Sequence, residues 1–323
     1  MPKETLLPVA KGLIKKLLQH QPYSTSTSGT DQARYCYSVW MRHLVHVHQA
    51  GFRLPQSTVA ELGPGDSLGT GSAALLSGAS QYYAMDVYQY WDIPRNIHLF
   101  DALVELFRQR ARIPDETEYP KVHPVLSSYE FPHHILTDDM LAMSLNEDRI
   151  QQLRTELMQL MQGPQQHIRY FIPWNDAIQV LPSTVDLFFS QAVLEYVDDL
   201  PRTYRKLNYW LKPNGWMSHC IDFSSHGMTQ PWNAHWRFTP AQWKLAHGNY
   251  RINLNRATQS MHIDLLKNHG FDISYESNLT KANQYKVWDL HPDFQDITPK
   301  DLEVYATYWV IRKRSEAQQR FDR

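Results

Sequence analysis

The residues most able to hold a ligand stand together between Val59 and Gly69. The apolar run before Gly63, at 58–62, is typical of a strand buried on both faces. Gly63 and Gly65 then allow a tight turn and let the backbone approach a ligand closely. A helix is predicted at 68–77, and the free N–H groups of its first turn point back at the glycines. Such a corner is typical of nucleotide sites, although similar loops serve many cofactors.

Asp86 is the second polar signal, at the carboxyl end of a strand predicted over 81–87, and it lies 21 residues after Gly65. Ligands of open α/β sheets bind beyond the carboxyl ends of strands, and an acidic residue about 20 positions past the glycine turn accepts hydrogen bonds from ribose hydroxyls. The alternative is an aspartate that only caps a turn. Together, the corner and Asp86 predict a ligand that contains a ribose.

Strands and helices alternate around these residues, which is typical of a parallel sheet covered by helices on both faces. Two helices are predicted ahead of the corner, at about 6–18 and 30–50. Further helices are predicted at 97–109, 146–162, 200–211 and 256–268. Further strands are predicted at 168–173, 185–191, 216–223, 271–277 and 304–312. The stretch 88–164, which is irregular and rich in proline at 113–132, is an insertion that forms either a lid over the site or a structural annex.

Composition limits the function classes for this chain of 323 residues. A formal net charge of −1 disfavours a general binder of nucleic acid or of a membrane surface. Only Cys36 and Cys220 are present, so one chain cannot build a disulfide framework or a four-cysteine zinc site. No run approaches the roughly 18 apolar residues of a membrane span. The start of the chain is unlike a secretory signal, and we expect a cytoplasmic protein.

Three histidines on the second predicted helix are the only candidates for a metal site. His43 and His46 share a face, with His48 nearby, but no third ligand follows at short range. Packed or solvated histidines are the alternative, and we expect no metal.

Six strings in the chain occur in the order found in a known enzyme family. They are 59–65 (VAELGPG), 83–86 (YAMD), 176–182 (DAIQVLP), 185–197 (VDLFFSQAVLEYV), 211–215 (LKPNG) and 265–271 (LLKNHGF). Taken together, they resemble the class I S-adenosylmethionine-dependent methyltransferases, in particular bacterial members of small-molecule and polysaccharide biosynthesis. Two positions depart from related patterns: Gly69 comes one residue late for a dinucleotide fingerprint, and Tyr196 stands where many relatives have histidine.

The resemblance implies an α/β fold, a Rossmann-like sheet of seven strands whose last strand is antiparallel. It also implies an N-terminal helical extension at 1–54 and a methyltransferase domain at 55–323, with the helical insertion after the second strand. S-adenosylmethionine is the implied cofactor, and its contacts fall on the matched residues. Glu61 would fix the loop, and Gly63, Pro64 and Gly65 would lie under the methionine part. Asp86 would bind the ribose, and Asp176 and Ala177 would flank the adenine. Ser190 and Gln191 would face the amino acid and the transferred methyl group.

Methyl transfer from a sulfonium mainly needs alignment and the exclusion of water, and a base is required only for a hydroxyl or a protonated amine. His226 and Asp222 follow the carboxyl end of the fifth predicted strand and are the candidate catalytic residues. The alternative is that they hydrogen-bond their own loop. His219 lies within that strand, where we expect it to be buried. The aromatic stretch 228–238 forms either a wall of the acceptor pocket or a packed loop.

The sequence therefore predicts a methyltransferase that acts on a small molecule or glycan, with O-methylation favoured. A cofactor-binding scaffold without catalysis and an NAD(P)-dependent dehydrogenase are the alternatives. Methylation of nucleic acid is disfavoured because Ser190, Gln191 and the residues after them do not form the Asn/Asp-Pro-Pro-Tyr string of such enzymes. The oligomeric state stays open.

Overall fold

A computed structural model describes residues 3–17, 29–163, 165–174, 180–248 and 253–315. The helices are α1 (Lys3–Leu17), α2 (Ala33–Ala50), α3 (Gly69–Leu76), α4 (Ile93–Arg108), α5 (Asp138–Ser144), α6 (Glu147–Gln159), α7 (Leu200–Trp210), α8 (Pro240–His247) and α9 (Gln259–Asn268). The strands are β1 (Thr58–Leu62), β2 (Gln81–Met85), β3 (Ile168–Phe171), β4 (Val185–Gln191), β5 (Leu211–Asp222), β6 (Phe271–Thr280) and β7 (Val304–Lys313).

The seven strands form one sheet in the order β3-β2-β1-β4-β5-β7-β6. Strands β1 to β5 pair in parallel, whereas β7 runs antiparallel to both β5 and β6. The predicted α/β fold, with seven strands and an antiparallel last strand, is confirmed. Because the strand order reverses between β1 and β4, a crevice opens beyond the carboxyl ends of these strands.

Neighbouring residues of the central strands supply two hydrophobic cores, one on each face of the sheet. Leu187 and Phe189 pack into the core that contains Trp40 of α2, while Phe188 packs into the core that contains Trp309. Side chains alternate between the two faces of a strand, so an unbroken apolar run fills both cores. All five residues of β1 are buried, as the sequence predicted. Helix α2 contributes to the same core as the sheet.

Several element boundaries differ from the prediction. The predicted turn at 212–215 is a bulge within β5, since Leu211 and Trp216 pair with residues only two apart on β4. Helix α9 begins at Gln259 and not at Arg256, because Arg256 has a φ of 64°, which lies outside the helical range. Helices α5 and α8 were not predicted.

Arg42 of α2 holds the proline-rich part of the segment between β2 and β3 against the domain. Its buried guanidinium donates to the carbonyl oxygens of Pro114, Val122 and Pro124 at 2.7–2.9 Å and pairs with Glu116 at 2.9 Å. Between α4 and α5, where every residue is described, the chain forms turns and bends. One buried cation therefore satisfies carbonyls that have no ladder or helix partner.

Candidate functional site

The glycine corner has the geometry that its sequence requires. Gly63 has a φ of 65° and Gly65 a φ of 76°, a backbone region that is costly for other residues. The N–H of Gly63 donates to the carbonyl of Met85 at 2.8 Å, which ties the turn to the end of β2. A Cβ atom on Gly63 would lie 2.7 Å from Cγ2 of Val193, so the chain after β4 also approaches this glycine closely.

Glu61 is the buried anchor of this corner. The hydroxyl of Tyr82 donates to its carboxyl at 2.5 Å, and the Thr70 side chain and the Gly71 N–H also bond to it. Burial raises the pKa of Glu61 to about 8. Glu61 therefore connects β1 to β2 and to the first turn of α3, on both sides of the glycine loop.

Asp86 directly follows β2 and lies beside the loop. Its carboxylate accepts from the N–H of Val87 at 2.7 Å and from that of Gly65 at 3.4 Å. The residue is only 6% exposed, and burial raises the pKa of its carboxyl to about 6. A buried carboxylate with acceptor capacity to spare, next to positive-φ glycines, is suited to bind paired hydroxyl groups.

These groups meet in one cleft of about 810 Å³. The cleft lies at the carboxyl ends of β1, β2 and β4, where the strand order reverses. Five of the predicted cofactor residues line it, namely Glu61, Gly63, Gly65, Asp86 and Gln191. Asp176 and Ala177 lie outside the described residues.

The structure does not place the remaining two predicted cofactor residues on the cleft. Ser190 is fully buried, and its hydroxyl bonds to Nδ1 of His219 at 2.8 Å. Adjacent residues of a strand point to opposite faces, so Gln191 reaches the cleft and Ser190 does not. Pro64 is also buried and is absent from the lining.

The candidate catalytic residues His226 and Asp222 lie side by side. His226 lines the cleft, and its Nε2 is 3.6 Å from Oδ2 of Asp222 and 3.8 Å from Oε1 of Glu195. Its Nδ1 is 2.8 Å from the hydroxyl of Tyr196, which also lines the cleft. Asp222 lies behind His226, outside the lining. Burial lowers the pKa of His226, so the imidazole is neutral near pH 7 and able to accept a proton.

Aromatic rings make up much of the cleft wall, and the sequence analysis did not assign them to the site. They are Tyr35, Tyr88, Tyr90, Trp174 and Tyr196. Tyr88 and Tyr90 follow Asp86 directly after the end of β2, and this position could have predicted that they line the cleft. Tyr35 reaches the cleft from α2, which only the packing of that helix determines. Arg202 and Lys206 of α7 contribute charge to the wall.

The aromatic stretch 228–238 is a packed loop, one of the two readings that the sequence left open. Trp236 and Phe238 are fully buried, and the indole of Trp236 donates to the carbonyl of Arg256 at 2.9 Å. No residue from 228 to 238 lines the cleft. His219 is fully buried, as expected for its place in β5.

The histidines of α2 serve packing. His43 is fully buried, with Nδ1 2.6 Å from the hydroxyl of Ser218 and Nε2 3.1 Å from the amide oxygen of Gln191. His46 bonds to the carbonyl of Val125. Over the described ranges, no cluster of three or more His, Cys, Asp or Glu residues could hold a metal ion. Nor does any helix within those ranges have the length and apolar character needed to cross a membrane.

No protein-family model matches the chain, and no curated protein is significantly similar to it. Similar solved structures include S-adenosylmethionine-dependent methyltransferases from Methanosarcina mazei (12% identity, 84% of this chain and 98% of that one, TM-score 0.43) and Mesorhizobium loti (14%, 83% and 96%, 0.41). Another is a Haemonchus contortus phosphoethanolamine N-methyltransferase in complex with phosphomonomethylethanolamine and S-adenosylhomocysteine (11%, 90% and 59%, 0.45). At these identities and TM-scores, the similarity concerns the fold alone and does not extend to the activity.

Proposed function

We propose that this protein is an enzyme that transfers a methyl group from S-adenosylmethionine to a hydroxyl group of a small molecule or glycan. One observation carries the proposal. Asp86, almost fully buried, stands beside Gly65 in the lining of a cleft located where the strand order reverses. This is where an α/β sheet holds a nucleoside, with the ribose on the carboxylate that follows the second strand.

The sheet itself favours this cofactor over a nicotinamide dinucleotide. Dinucleotide folds consist of two parallel halves in the order 3-2-1-4-5-6. Here the antiparallel β7 stands between β5 and β6, so the second half is not a parallel mononucleotide unit. The dehydrogenase alternative therefore loses the half of the sheet that would hold the nicotinamide nucleotide.

The cleft residues fit an S-adenosylmethionine molecule in size and chemistry. A volume of about 810 Å³ is within the usual range for small-molecule sites and leaves room for an acceptor. Asp86 would hold the ribose hydroxyls, and the backbone at Gly63 and Gly65 would lie under the methionine part. When bound, the cofactor supplies a methyl group already activated on a sulfonium. Tyr88, Tyr90 and Trp174 would exclude water from the cleft.

An acceptor hydroxyl must lose its proton as it is methylated, and the cleft contains a base for that task. His226 is neutral near pH 7 because burial lowers its pKa, and Asp222 stands 3.6 Å from its Nε2 to stabilise the protonated ring. General-base assistance of this kind contributes roughly 10²- to 10⁴-fold to rates. This base supports O-methylation as the reaction.

Calorimetry tests the cofactor assignment without knowledge of the acceptor. We expect S-adenosylmethionine and S-adenosylhomocysteine to bind the wild-type protein and NAD not to bind. Asp86→Ala removes at least one hydrogen bond to a charged group, worth about 1.5–3 kcal/mol, so binding should weaken by at least about 10- to 150-fold.

Asp272→Ala is the matched control. Asp272 lies on β6, away from the cleft, and its exposed carboxylate pairs with Arg314. This variant should bind like wild type. Absence of heat with S-adenosylmethionine, or equal affinity in Asp86→Ala, would overturn the cofactor assignment. Release of S-adenosylhomocysteine upon addition of a library of hydroxylated acceptors tests turnover. Binding without release for any acceptor would instead support the cofactor-binding scaffold.

A further inference from the structure

One ring nitrogen of His226 is hydrogen-bonded within the protein, and the other faces two carboxyl groups. Nδ1 is 2.8 Å from the hydroxyl of Tyr196, while Nε2 faces Asp222 at 3.6 Å and Glu195 at 3.8 Å. Tyr196 and His226 line the cleft, whereas neither carboxyl does. The carboxyl groups face Nε2, and the Tyr196 hydroxyl faces Nδ1. An acceptor in the cleft therefore meets the Tyr196 hydroxyl on the Nδ1 side of the imidazole.

The two carboxyl groups decide where the imidazole proton resides. Glu195 is 4% exposed, and no side chain among the described residues forms a hydrogen bond with its carboxyl oxygens. Burial, and then the adjacent Asp222, raise the pKa of Glu195 well above its ordinary range, which favours the neutral acid at Glu195. The Asp222 carboxylate, 3.6 Å from Nε2, favours the ring proton on that nitrogen. Nδ1 then keeps its lone pair and accepts from the Tyr196 hydroxyl.

In this arrangement the oxygen of Tyr196 can still accept a hydrogen bond. Because Tyr196 lines the cleft, an acceptor hydroxyl bound there can donate to it. Burial raises the pKa of Tyr196 above its ordinary value, so the side chain does not persist as a phenolate near neutral pH. A phenol in this position can accept a proton only if it passes its own proton to Nδ1 in the same step.

We propose that Tyr196 is the catalytic residue that receives the proton of the hydroxyl group being methylated, and that His226 receives the proton of Tyr196. This proposal rests on the proposed function. As the acceptor oxygen gains the methyl group, its proton moves to the Tyr196 oxygen, and the former Tyr196 proton moves to Nδ1 of His226. The imidazole becomes an imidazolium, and its positive charge is balanced by Asp222. His226 and Asp222 thus act behind Tyr196. The methyl acceptor that fits this proton path is a neutral compound whose hydroxyl group loses one proton to Tyr196.

Histidine nitrogen-15 NMR on protein alone tests this arrangement, with the His226 signals assigned by a His226→Gln variant. We expect the wild-type ring to carry its proton on Nε2. Tyr196→Phe removes a donor to the neutral ring and should raise the pKa of His226 by about half a pH unit or more. Asp222→Asn removes the facing anion and should lower the pKa of His226. The other titratable groups near this ring are unchanged in all variants; they are Glu195, 3.8 Å from Nε2, and His235, whose pKa is lowered in part by His226. A proton on Nδ1, or unchanged pKa values, would overturn the proposal.

Turnover supplies the second measurement, with an acceptor drawn from the hydroxyl library. Tyr196→Phe should lower kcat by roughly 10²- to 10⁴-fold while S-adenosylhomocysteine binds within about twofold of wild type. Tyr209→Phe is the matched control, because Tyr209 is an exposed tyrosine of α7, and it should retain wild-type kcat. Wild-type kcat in Tyr196→Phe would refute the role of Tyr196. If no hydroxyl compound is methylated, the O-methylation of the proposed function fails, and the NMR result still decides the proton arrangement.

Discussion

A single methyl group added at Gly71 should disrupt the anchor of the cofactor loop. Gly71 lies in the first turn of α3, and a Cβ atom there would be 1.9 Å from Cζ of Tyr82. Tyr82 is fully buried, and its hydroxyl donates to Glu61 at 2.5 Å. The Gly71→Ala variant can therefore fold only if the ring or the helix moves by more than 1 Å and the Tyr82–Glu61 hydrogen bond breaks.

The cost follows from these contacts. Overpacking a tight core costs about 1–3 kcal/mol, and a buried carboxyl without its donor costs about 1–3 kcal/mol. The higher helix propensity of alanine returns about 1 kcal/mol. We expect Gly71→Ala to lower the free energy of unfolding by roughly 1–5 kcal/mol, centred near 3 kcal/mol.

Urea denaturation of wild type, Gly71→Ala and Gly78→Ala measures this difference. Gly78 follows the same helix with a φ of 119°, and a Cβ there would meet only Cε of Met140 at 3.8 Å. Gly78→Ala should thus cost only the backbone strain, about 1–2 kcal/mol. Gly71→Ala should also weaken S-adenosylhomocysteine binding, since Glu61 holds the loop. A loss of stability in Gly71→Ala no greater than in Gly78→Ala would refute the reasoning.

Three other predictions use the same measurements. Arg42→Leu should lower the free energy of unfolding by about 2–6 kcal/mol, because it leaves the carbonyls of Val122 and Pro124 without this donor at about 1–3 kcal/mol each, and wild-type stability would contradict this. Gly63→Ala should weaken S-adenosylhomocysteine binding at least about tenfold in calorimetry, since its Cβ meets Val193 at a positive φ. Urea midpoints should fall as the pH drops from about 6.5 toward 4, since burial lowers the pKa of four histidines that the unfolded chain protonates first. Each contributes up to about 1.4 kcal/mol per pH unit, and a midpoint that rises in this window would contradict the reasoning. Glu61 and Asp86, with raised pKa values of about 8 and 6, and Glu195, whose pKa burial also raises, act in the opposite sense but are three groups against four. The four histidines are His43, with a pKa of about 4, and His219, His235 and His262, each with a pKa of about 3.

Local patterns in the sequence were enough to predict the sheet and the glycine side of the cleft. The apolar run before Gly63 and the alternation of elements specify buried parallel strands, since each strand must fill both cores. Gly63, Gly65 and Asp86 were predictable because turn geometry and the end of a strand depend on residues close in sequence. The boundaries were less certain, because the positive φ of Arg256 and the bulge in β5 arise from contacts made in the folded chain.

The acceptor side of the cleft depended on tertiary structure. Tyr196 and His226 are 30 positions apart and meet only because β4 and β5 are neighbours in the sheet. Ser190 and Gln191 are adjacent, yet only the direction of the strand decides which one faces the cleft. The sequence by itself determined the seven strands and placed Gly63, Gly65 and Asp86 at the ends of the first two, since these features follow from local backbone preferences. Only the tertiary structure decided which side chains surround His226, because packing brings distant residues together.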